Sequence, residues 1–304
     1  MRHAYLIIAH NEFGLLEKLL KLIDHKDNDI YVHIDKCVKN FDFNYFKSLL
    51  KKSNIFFTER TNVNWGGYSQ INSELVLLKA SCKGKYDYYH LLSGVDLPLK
   101  SQKEIHDFFE KNNGKQFVHM ASYNKDVLNR ISLYHPFCKF KRRFKNKYLS
   151  TGVEYFTKII DKVQKILKIN RLKNIDFDVK YGANWFSITH ELVKYILANE
   201  DFIKKYFKSS FCADELFLQT LVYNSKFKND LYYKKEDGNY ISCLRYVVWD
   251  KDDCKNGSPH TWRASEYEEL MNSDYLFARK FNSNIDNDII NMIFNSVSAK
   301  NEKG

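Results

Sequence analysis

Two clusters of charged residues in the second half of the chain have the composition of a chemical site. Asp214 and Glu215 open an otherwise apolar segment, CADELFLQTL, with a helical pattern. A helix dipole favours acidic residues at its start, so this pair has either that structural role or that of a general base, which must reach the proton it removes. Arg279 and Lys280 interrupt an apolar aromatic run, LFARKF, where a dibasic pair could neutralise an anion.

A turn after a predicted buried strand marks a third position. The apolar run YYHLL ends at Ser93 and Gly94, Asp96 follows, and Ser101 with Glu104 has the capping-box pattern of a helix start. Open α/β sheets bind ligands just beyond the carboxyl ends of their strands, and a glycine turn with a carboxylate suits that place. A plain strand-to-helix turn is the alternative interpretation.

Strand and helix patterns alternate over the first 110 residues and would position these groups. We predict strands at 5–9, 30–34 and 55–57 and one that ends at Ser93, with helices at 13–23, 41–50 and 68–82. This alternation is typical of an α/β fold with a mostly parallel central sheet flanked by helices. Residues 285–304 have little pattern beyond a short apolar stretch and are predicted to form a C-terminal tail.

Composition excludes several classes of protein. The 304 residues contain no apolar run as long as a transmembrane helix, and the apolar stretch at 4–9 is too short for a signal peptide. The six cysteines are far apart and form no CxxC pair, which favours reduced thiols. We therefore expect the protein to stay in the compartment where it is made.

The formal net charge of +11 indicates an acidic partner, and much of the excess lies within 139–173. Apolar residues at helical spacing predict a basic amphipathic helix at 153–172. Its charged side is either solvated or docked on an anionic membrane, since such helices lie in the interface with their cations toward the headgroups. Nucleic acid ranks third and is not expected as a partner, because no zinc-finger, helix-turn-helix or RNP-type pattern accompanies the charge.

Four blocks of the sequence, in order, resemble the core-2/I-branching β-1,6-N-acetylglucosaminyltransferase family (glycosyltransferase family 14), which includes the peptide O-xylosyltransferases and bacterial members. They are AYLIIAHNE…IYVHIDK at 4–36, VNWGGYSQINSELVLLKAS…YDYYHLLSGVDLPLKS at 63–101, GANWFSITHELVKYIL…CADELFLQTL at 182–221 and LRYVVWD…YLFARKF at 244–281. The resemblance implies a Rossmann-like fold of the GT-A type in a single domain at 1–284, with a nucleotide-binding part at about 1–110 and an acceptor and catalytic part at about 111–284. It also implies sugar transfer from a UDP-sugar, with inversion of the anomeric centre and without a metal ion or other cofactor.

The turn after the strand that ends at Ser93 favours a metal-free mechanism. Most GT-A enzymes hold a cation on an Asp-x-Asp motif at a strand end, where this chain has Ser93-Gly94-Val95-Asp96 with a single carboxylate. Four Asp-x-Asp strings elsewhere are expected in surface loops. Cationic side chains would then stabilise the departing diphosphate. A metal-dependent transferase that uses Asp96 is the alternative.

The family's pattern assigns roles to individual residues. Glu215 would be the general base, and Lys280, with Arg279 beside it, would stabilise the leaving diphosphate, Arg263 being a weaker candidate. The remaining residues expected near the donor are His33, Asp35, Asn11, Ser93, Gly94 and Asp96. Those expected around the acceptor or the sugar are Trp249, Trp185, Trp65, Asp214, Arg130, Tyr134 and His135. Each tryptophan has a core position as its alternative, since aromatic side chains dominate cores.

Together these expectations describe a bacterial, cytoplasmic enzyme that transfers a GlcNAc-like or xylose-like sugar to a hydroxyl group of a saccharide. A lipid-linked acceptor for capsule, exopolysaccharide or lipopolysaccharide would suit the basic segment at 139–173 and a peripheral place on the inner face of the membrane. Two other classes remain open. One is a non-catalytic binder of carbohydrate or nucleotide-sugar, which would not need Glu215, and the other is a basic interaction protein that uses the four blocks only as scaffold.

Overall fold

A six-stranded sheet with helices on both faces organises the computed structural model, which describes residues 1–140, 147–254 and 257–303. The strands are β1 His3–Ala9, β2 Asn28–Ile34, β3 Asn54–Phe57, β4 Tyr88–Ser93, β5 Leu97–Pro98, β6 Phe117–Val118, β7 Phe186–Thr189, β8 Arg245–Tyr246 and β9 Phe277–Ala278. The helices are α1 Phe13–Leu22, α2 Phe43–Ser48, α3 Ser69–Cys82, α4 Gln102–Lys111, α5 Lys125–Ser132, α6 Lys147–Ile166, α7 His190–Ala198, α8 Glu200–Phe207, α9 Phe217–Tyr223, α10 Tyr267–Met271 and α11 Asn287–Lys303. The central sheet has the order β3-β2-β1-β4-β7-β6, and a small sheet has the order β5-β9-β8.

The central sheet is mostly parallel. β1 pairs in parallel with β2 and β4, and β2 with β3, whereas β7 lies antiparallel between β4 and β6. This confirms the predicted α/β class. The strand order reverses between β1 and β4, whose carboxyl ends are level because Ile8 pairs with Ser93. Open α/β sheets form their ligand crevice at such a switch point.

Side chains of β1 alternate between two apolar cores, one on each face of the sheet. Tyr5 and Ile7 pack with α1, α4 and α11, and Ala4 and Leu6 pack with α3, α7 and α9. Strands covered on both faces read as continuous apolar runs, which is the pattern of β1 and β4. The carboxyl edge of the sheet is thereby held rigidly from both sides.

A buried arginine joins the small sheet to the central one. The Arg245 guanidinium, on β8, donates to the carbonyl oxygens of Leu91 at 2.9 Å and Phe186 at 2.6 Å, on β4 and β7. Burial lowers the pKa of Arg245 to about 10, so the group stays protonated at neutral pH. Arg279, which follows β9, is thereby fixed beside the carboxyl end of β4.

The predicted basic amphipathic helix is present, with different ends. It is α6, which begins at Lys147 and ends at Ile166 instead of spanning 153–172. Residues 141–146 of the basic segment lie outside the described residues. None of the helices in the described ranges is long and apolar enough to cross a membrane.

The prediction that residues 285–304 form a C-terminal tail is wrong. These residues include α11, which buries Ile289, Ile293 and Val297 in the core that also contains α1. Near its end, the Asn301 side chain donates to the Leu22 carbonyl at 2.9 Å. The apolar residues of α11 are spaced four apart among polar ones, so the sequence has only a short apolar run. The final helix belongs to the core of the fold.

Candidate active site

The residues predicted near the donor nucleotide meet at the carboxyl edge of the central sheet. His33 and Asp35 lie at the end of β2, and Asn11 is exposed just after β1. The His33 imidazole bonds the Thr61 hydroxyl at 2.9 Å, and Asp35 accepts a hydrogen bond from the Val63 N–H at 3.3 Å. His33 and Asp35 therefore hold the loop after β3 against β2, which shapes this side of the crevice.

Arg279 and Asp96 form an ion pair at the end of β4. Nη1 of Arg279 donates to Asp96 Oδ1 at 2.8 Å and to Ser93 Oγ at 2.7 Å. The fully buried Asp96 carboxylate also accepts from the Ser93 hydroxyl at 2.6 Å and the Ser93 N–H at 2.9 Å, so protein donors take up both oxygens. Both hydrogen bonds from Arg279 to described residues come from Nη1, which leaves Nη2 and Nε for an anion. At Gly94 a Cβ atom would lie 2.9 Å from the Ala9 side chain, so the turn packs tightly on β1.

Trp185 and Lys280 join this cluster. The guanidinium carbon of Arg279 lies 4.0 Å from the centre of the Trp185 ring, a cation–π contact. Lys280 is half-buried and bonds the Ser258 hydroxyl. Burial, and then the charge of Arg279, lower the pKa of Lys280, as expected for two adjacent cations. The pair therefore concentrates positive charge at the crevice.

Arg263 is exposed. It follows Trp262, whose indole N–H donates to the Arg279 carbonyl at 3.0 Å. A hydrogen bond from the Ala264 N–H, and more weakly the charge of Arg263, lower the pKa of Asp286. The charge of Arg263 therefore acts on Asp286, and its part in the diphosphate site stays a prediction.

Glu215, the predicted base, ends the short 3-10 helix Ala213–Glu215 and is held by an arginine. Arg130, on α5, donates to Glu215 Oε2 at 2.6 Å. Their side chains are 26% and 33% exposed, so the ion pair remains open to a bound molecule. Burial raises the pKa of Glu215, while Arg130 opposes that rise. Arg130 thus favours the ionised form that a general base requires, and the carboxylate stays accessible.

Two enclosed carboxyl groups lie next to Glu215. Asp214 accepts from Gln70 Nε2 at 2.8 Å, and its other oxygen has no hydrogen-bond partner among the described residues. Glu74, on α3, is fully buried, and neither of its oxygens makes a hydrogen bond of normal geometry within the described ranges, although the Asn184 side chain is close enough to lower its pKa slightly. Burial, and then the charge of Asp214, raise the pKa of Glu74 well above its usual value. Burial also raises the pKa of Asp214 beside Glu215, so this cluster favours bound protons.

The Trp65-Gly66-Gly67 motif packs the start of α3 against the acidic segment. Gly66 has φ +74°, and a Cβ atom there would lie 2.4 Å from the Phe211 ring. Its N–H bonds the Gln70 side chain, which in turn holds Asp214. The Trp65 ring packs edge-on against Phe211, with ring centres 5.4 Å apart. The motif thus positions Asp214 through Gln70.

Trp249 presents an exposed aromatic face. It is 46% exposed, and its indole N–H donates to the Tyr240 hydroxyl at 2.7 Å. The Tyr240 ring stacks on His119, with ring centres 4.3 Å apart. Burial raises the pKa of Tyr240 and the charge of Glu215 adds to that rise, so Glu215 lies nearby. An accessible, oriented indole ring suits the C–H face of a sugar.

A four-residue segment connects the base to the cations. The Gly182 N–H donates to the Glu215 carbonyl at 3.0 Å, and Trp185, three residues later, carries the Arg279 guanidinium. A Cβ atom at Gly182 would lie 1.9 Å from the His119 carbonyl oxygen, so only glycine fits there. Three residues of extended chain span at most about 10 Å, so the Glu215 backbone and the Trp185–Arg279 contact lie in one region of the molecule.

Tyr134 and His135 lie just after α5, and the His135 ring is 6.0 Å from the Phe211 ring that packs on Trp65. Tyr134 is exposed, and the Arg171 guanidinium lies 4.9 Å from its ring centre. His135 is buried and its Nε2 bonds the Asn129 carbonyl at 2.9 Å. Both belong to the loop that follows α5, which turns toward α6. Arg130, on α5 itself, is the member of the predicted acceptor loop that reaches Glu215.

The comparison with protein families decides the family. The model of the core-2/I-branching enzyme matches residues 3–274, nearly the whole chain. The chain belongs to this family. It is therefore a member of a glycosyltransferase family, as its four sequence blocks indicate.

Curated relatives of the chain are named xylosyltransferases. The chain is 25% identical over 294 residues to xylosyltransferase sqv-6 of Caenorhabditis elegans, which covers 90% of the chain and 34% of that protein. It is 23% identical over 322 residues to xylosyltransferase 2 of Rattus norvegicus, which covers 96% of the chain and 33% of that protein. The chain thus spans about a third of the length of these relatives. Among solved structures, mouse xyloside xylosyltransferase 1 in its apo form aligns with 91% of this chain and 96% of that chain, at 10% identity and a TM-score of 0.38.

Three residues at the candidate site were not predicted from sequence. They are Gln70 and Glu74, which face Asp214 from α3, and Tyr240, which orients Trp249. A signal exists for Glu74, because it falls between Ile71 and Leu75 on the apolar side of a helix. An acidic residue at a core position is a candidate functional group.

Proposed function

We propose that this protein is an inverting glycosyltransferase that transfers a sugar from a UDP-sugar to a hydroxyl group of a saccharide acceptor. The observation that carries the proposal is the open Glu215–Arg130 pair, at 2.6 Å, linked through the segment 182–185 to the Arg279 cation on Trp185. A base and an anion-binding cluster on opposite sides of one space are what direct displacement at an anomeric carbon needs.

In the proposed reaction, Glu215 Oε1 or Oε2 takes the proton of the acceptor hydroxyl while the hydroxyl oxygen attacks the anomeric carbon. The bond between this carbon and the diphosphate oxygen breaks, and UDP leaves with the electron pair. Attack from the side opposite UDP inverts the configuration. Arg130 keeps Glu215 ionised before the step and holds its carboxylate in place.

Stabilisation of the departing diphosphate falls to Arg279 and Lys280 in this proposal. Arg279 has donors to spare, and Lys280 follows it with one described hydrogen bond, to Ser258. A metal-dependent reaction through Asp96 is disfavoured, because Arg279 and Ser93 already take up its carboxylate oxygens. The Asp-x-Asp string at 27–29 offers no alternative: contrary to the surface-loop prediction, Asp29 is buried in β2 and accepts from the Tyr86 hydroxyl at 2.6 Å.

The substrates are proposed from the relatives and from the aromatic face of the site. The relatives named xylosyltransferases support a xylose-like donor, and the family name supports a GlcNAc-like one. Trp249 and Trp185 would pack on sugar rings. For the acceptor we propose a saccharide that is carried on a lipid at an anionic membrane surface, in capsule, exopolysaccharide or lipopolysaccharide synthesis, because the chain is strongly basic within 139–173.

The test is thermal unfolding of the chain with UDP-xylose, UDP-GlcNAc, UDP-glucose and UDP-galactose, each with EDTA or with manganese. A bound donor at a hundred times its Kd stabilises the fold by about 2.7 kcal/mol and raises Tm. A rise that survives EDTA supports the proposal. A rise that requires manganese contradicts the role of Arg279 and Lys280, and no rise with any UDP-sugar contradicts the donor class.

A non-catalytic nucleotide-sugar binder is separated from the enzyme by Glu215→Gln. Loss of a general base lowers turnover by at least about a hundredfold. The enzyme reading requires that loss, measured as UDP release, with an unchanged Tm rise on donor binding. Equal UDP release by both proteins would leave Glu215 without its catalytic role.

A further inference from the structure

The helix α6 faces the protein with its polar side and presents its apolar side outward. Thr157 and Gln164 are its buried residues, at 8% and 5% exposure. Tyr155, Phe156 and Ile166 are 64%, 62% and 69% exposed. This is the reverse of a helix packed on a globular core, where the apolar stripe is covered. With them, Ile159, Val163 and Leu167 complete an outward stripe, called here the α6 apolar face.

Specific polar contacts hold α6 in this orientation. The Gln164 side chain accepts from the Tyr134 N–H at 2.8 Å and donates to the Tyr134 carbonyl at 2.9 Å. Asp161 lies 3.7 Å from Nδ1 of the buried His135. Rotation that buried the apolar face would break these contacts and leave the Tyr134 backbone groups without those partners. The outward direction of the apolar face is therefore built into the fold.

Positive charge accompanies the apolar face. Residues 147–173 contain seven lysine or arginine residues and two acidic residues. Lys158, Lys162 and Lys165 are all exposed on α6. An amphipathic helix of this composition, with aromatic and aliphatic residues on one side and lysines beside them, matches the helices that lie in a bilayer interface.

We infer that the α6 apolar face inserts into the interface of an anionic lipid bilayer. The charges favour this partner over a second copy of the chain, because two such faces in contact would bring their lysines together. They also favour it over nucleic acid, which would attract the lysines but leave the exposed Phe156 and Ile166 in water. Only an anionic bilayer satisfies both the apolar stripe and the cations beside it.

The position of α6 ties the bilayer to the crevice. Arg171, which follows α6, donates from Nη1 to the Ile131 carbonyl at 3.0 Å on α5, the helix that carries Arg130. A groove of about 810 Å³ lies between α5 and the segment that includes the end of α6 and the residues after it, with Lys165 and Lys168 on its wall. Docking through α6 would therefore hold the Glu215–Arg130 pair at a fixed height above the lipid. That consequence for a lipid-linked acceptor rests on the proposed function, whereas bilayer binding itself does not.

Flotation with lipid vesicles tests the inference. The chain is mixed with vesicles of phosphatidylglycerol and phosphatidylcholine, or of phosphatidylcholine alone, at low and high salt. We expect binding to the first kind, weaker but retained at high salt. Phe156→Ser should weaken it about tenfold, which corresponds to burial of one aromatic side chain. Phe56→Ser is the matched control, because it removes an exposed phenylalanine that is not on α6. Phe56 is 44% exposed and lies on β3, at the edge of the sheet opposite β6.

Three results would overturn the inference. They are absence of binding, equal binding by the Phe156→Ser and Phe56→Ser variants, and a concentration-dependent dimer in light scattering that Phe156→Ser abolishes. The first two remove the insertion of the apolar face, and the third identifies a second copy as its partner. The Tm rise with a UDP-sugar is measured on the same variants. It reports on the proposed glycosyltransferase independently, since α6 contributes no residue to the donor site.

Discussion

Replacement of Arg130 by glutamine should move the pH dependence of activity, because Arg130 is the counter-ion of the proposed base. Its Nη1 lies 2.6 Å from Glu215 Oε2. A positive charge at that distance stabilises the ionised carboxylate and lowers the pKa of Glu215, against the rise that burial causes. Removal of the charge therefore raises that pKa. Since the base acts in its ionised form, the acidic limb of the pH profile must shift to higher pH.

The size of this shift follows from the exposure of the pair. In an effective dielectric constant of about 20, two unit charges at this distance would interact by about 6 kcal/mol. The side chains are 26% and 33% exposed, however, and solvent-accessible ion pairs deliver far less than this value. We take about 1.4 kcal/mol as the discounted energy, which is about one pKa unit. Below both pKa values the Arg130→Gln variant should be roughly tenfold less active than the parent, and the two should converge at high pH.

The assay is release of UDP from the best UDP-sugar, as kcat/KM between about pH 5 and pH 9. Arg130→Lys retains the positive charge and is the matched control, with a smaller shift expected. Glu215→Gln should lose the acidic limb altogether together with most of the activity. An acidic limb that stays in place in Arg130→Gln, or moves to lower pH, would refute the assignment of Glu215 as the base that Arg130 serves.

Four further changes test other parts of the structure. Gly182→Ala should lower the free energy of unfolding by at least about 2 kcal/mol, and Tm with it, because its Cβ would overlap a backbone carbonyl. Gly14→Ala, whose Cβ would have nothing within 4 Å, should leave Tm equal or higher. Glu74→Gln should stabilise the protein increasingly as pH rises above the usual glutamate pKa, since the folded state raises the pKa of Glu74; melting curves at about pH 5 and pH 8 would show no such trend if Glu74 were solvated. Trp249→Ala should raise KM for the acceptor and leave the Tm rise with the donor unchanged, and an unchanged KM would remove its role as a sugar platform. Deletion of 287–304 should prevent folding, because burial of four aliphatic side chains supplies roughly 6–10 kcal/mol, comparable to the stability of a domain; a cooperative melt of the shortened chain would contradict this.

Sequence patterns were sufficient to predict most of the strands and helices in the first 110 residues. The strands at β1, β2 and β4 are long apolar runs that end in polar turns, and the parallel order follows from the helices between them. Contacts between residues far apart in the chain could not be predicted from these patterns. The Arg279–Asp96 pair joins residues 183 positions apart, and no local pattern relates them. Their proximity depends on the small sheet, whose strands are two residues long and give no periodic signal.

The acceptor side shows a different limit. Arg130, Tyr134 and His135 are close in sequence and were all expected around the acceptor, yet their contacts differ: Arg130 bonds Glu215, Tyr134 lies against Arg171 and His135 bonds the Asn129 carbonyl. The division depends on where α5 ends, and helix boundaries are weakly determined by local sequence. For α6, helical spacing correctly predicted an amphipathic helix, but the pattern does not reveal which side faces the protein. That direction is set by Gln164, a single polar residue with two backbone partners.

The packing of α11 against α1 has a consequence for the order of synthesis. α1 buries its leucines in a core that is completed by residues near the very end of the chain. The Asn301 side chain donates to the Leu22 carbonyl at the carboxyl end of α1 and also accepts from the Gln102 N–H at 2.8 Å. While the chain is being made, β1 and α1 must therefore wait with an uncovered apolar surface until α11 has been synthesised. A segment whose core is completed only by a helix so much later in the chain is a natural client for chaperones that bind nascent chains.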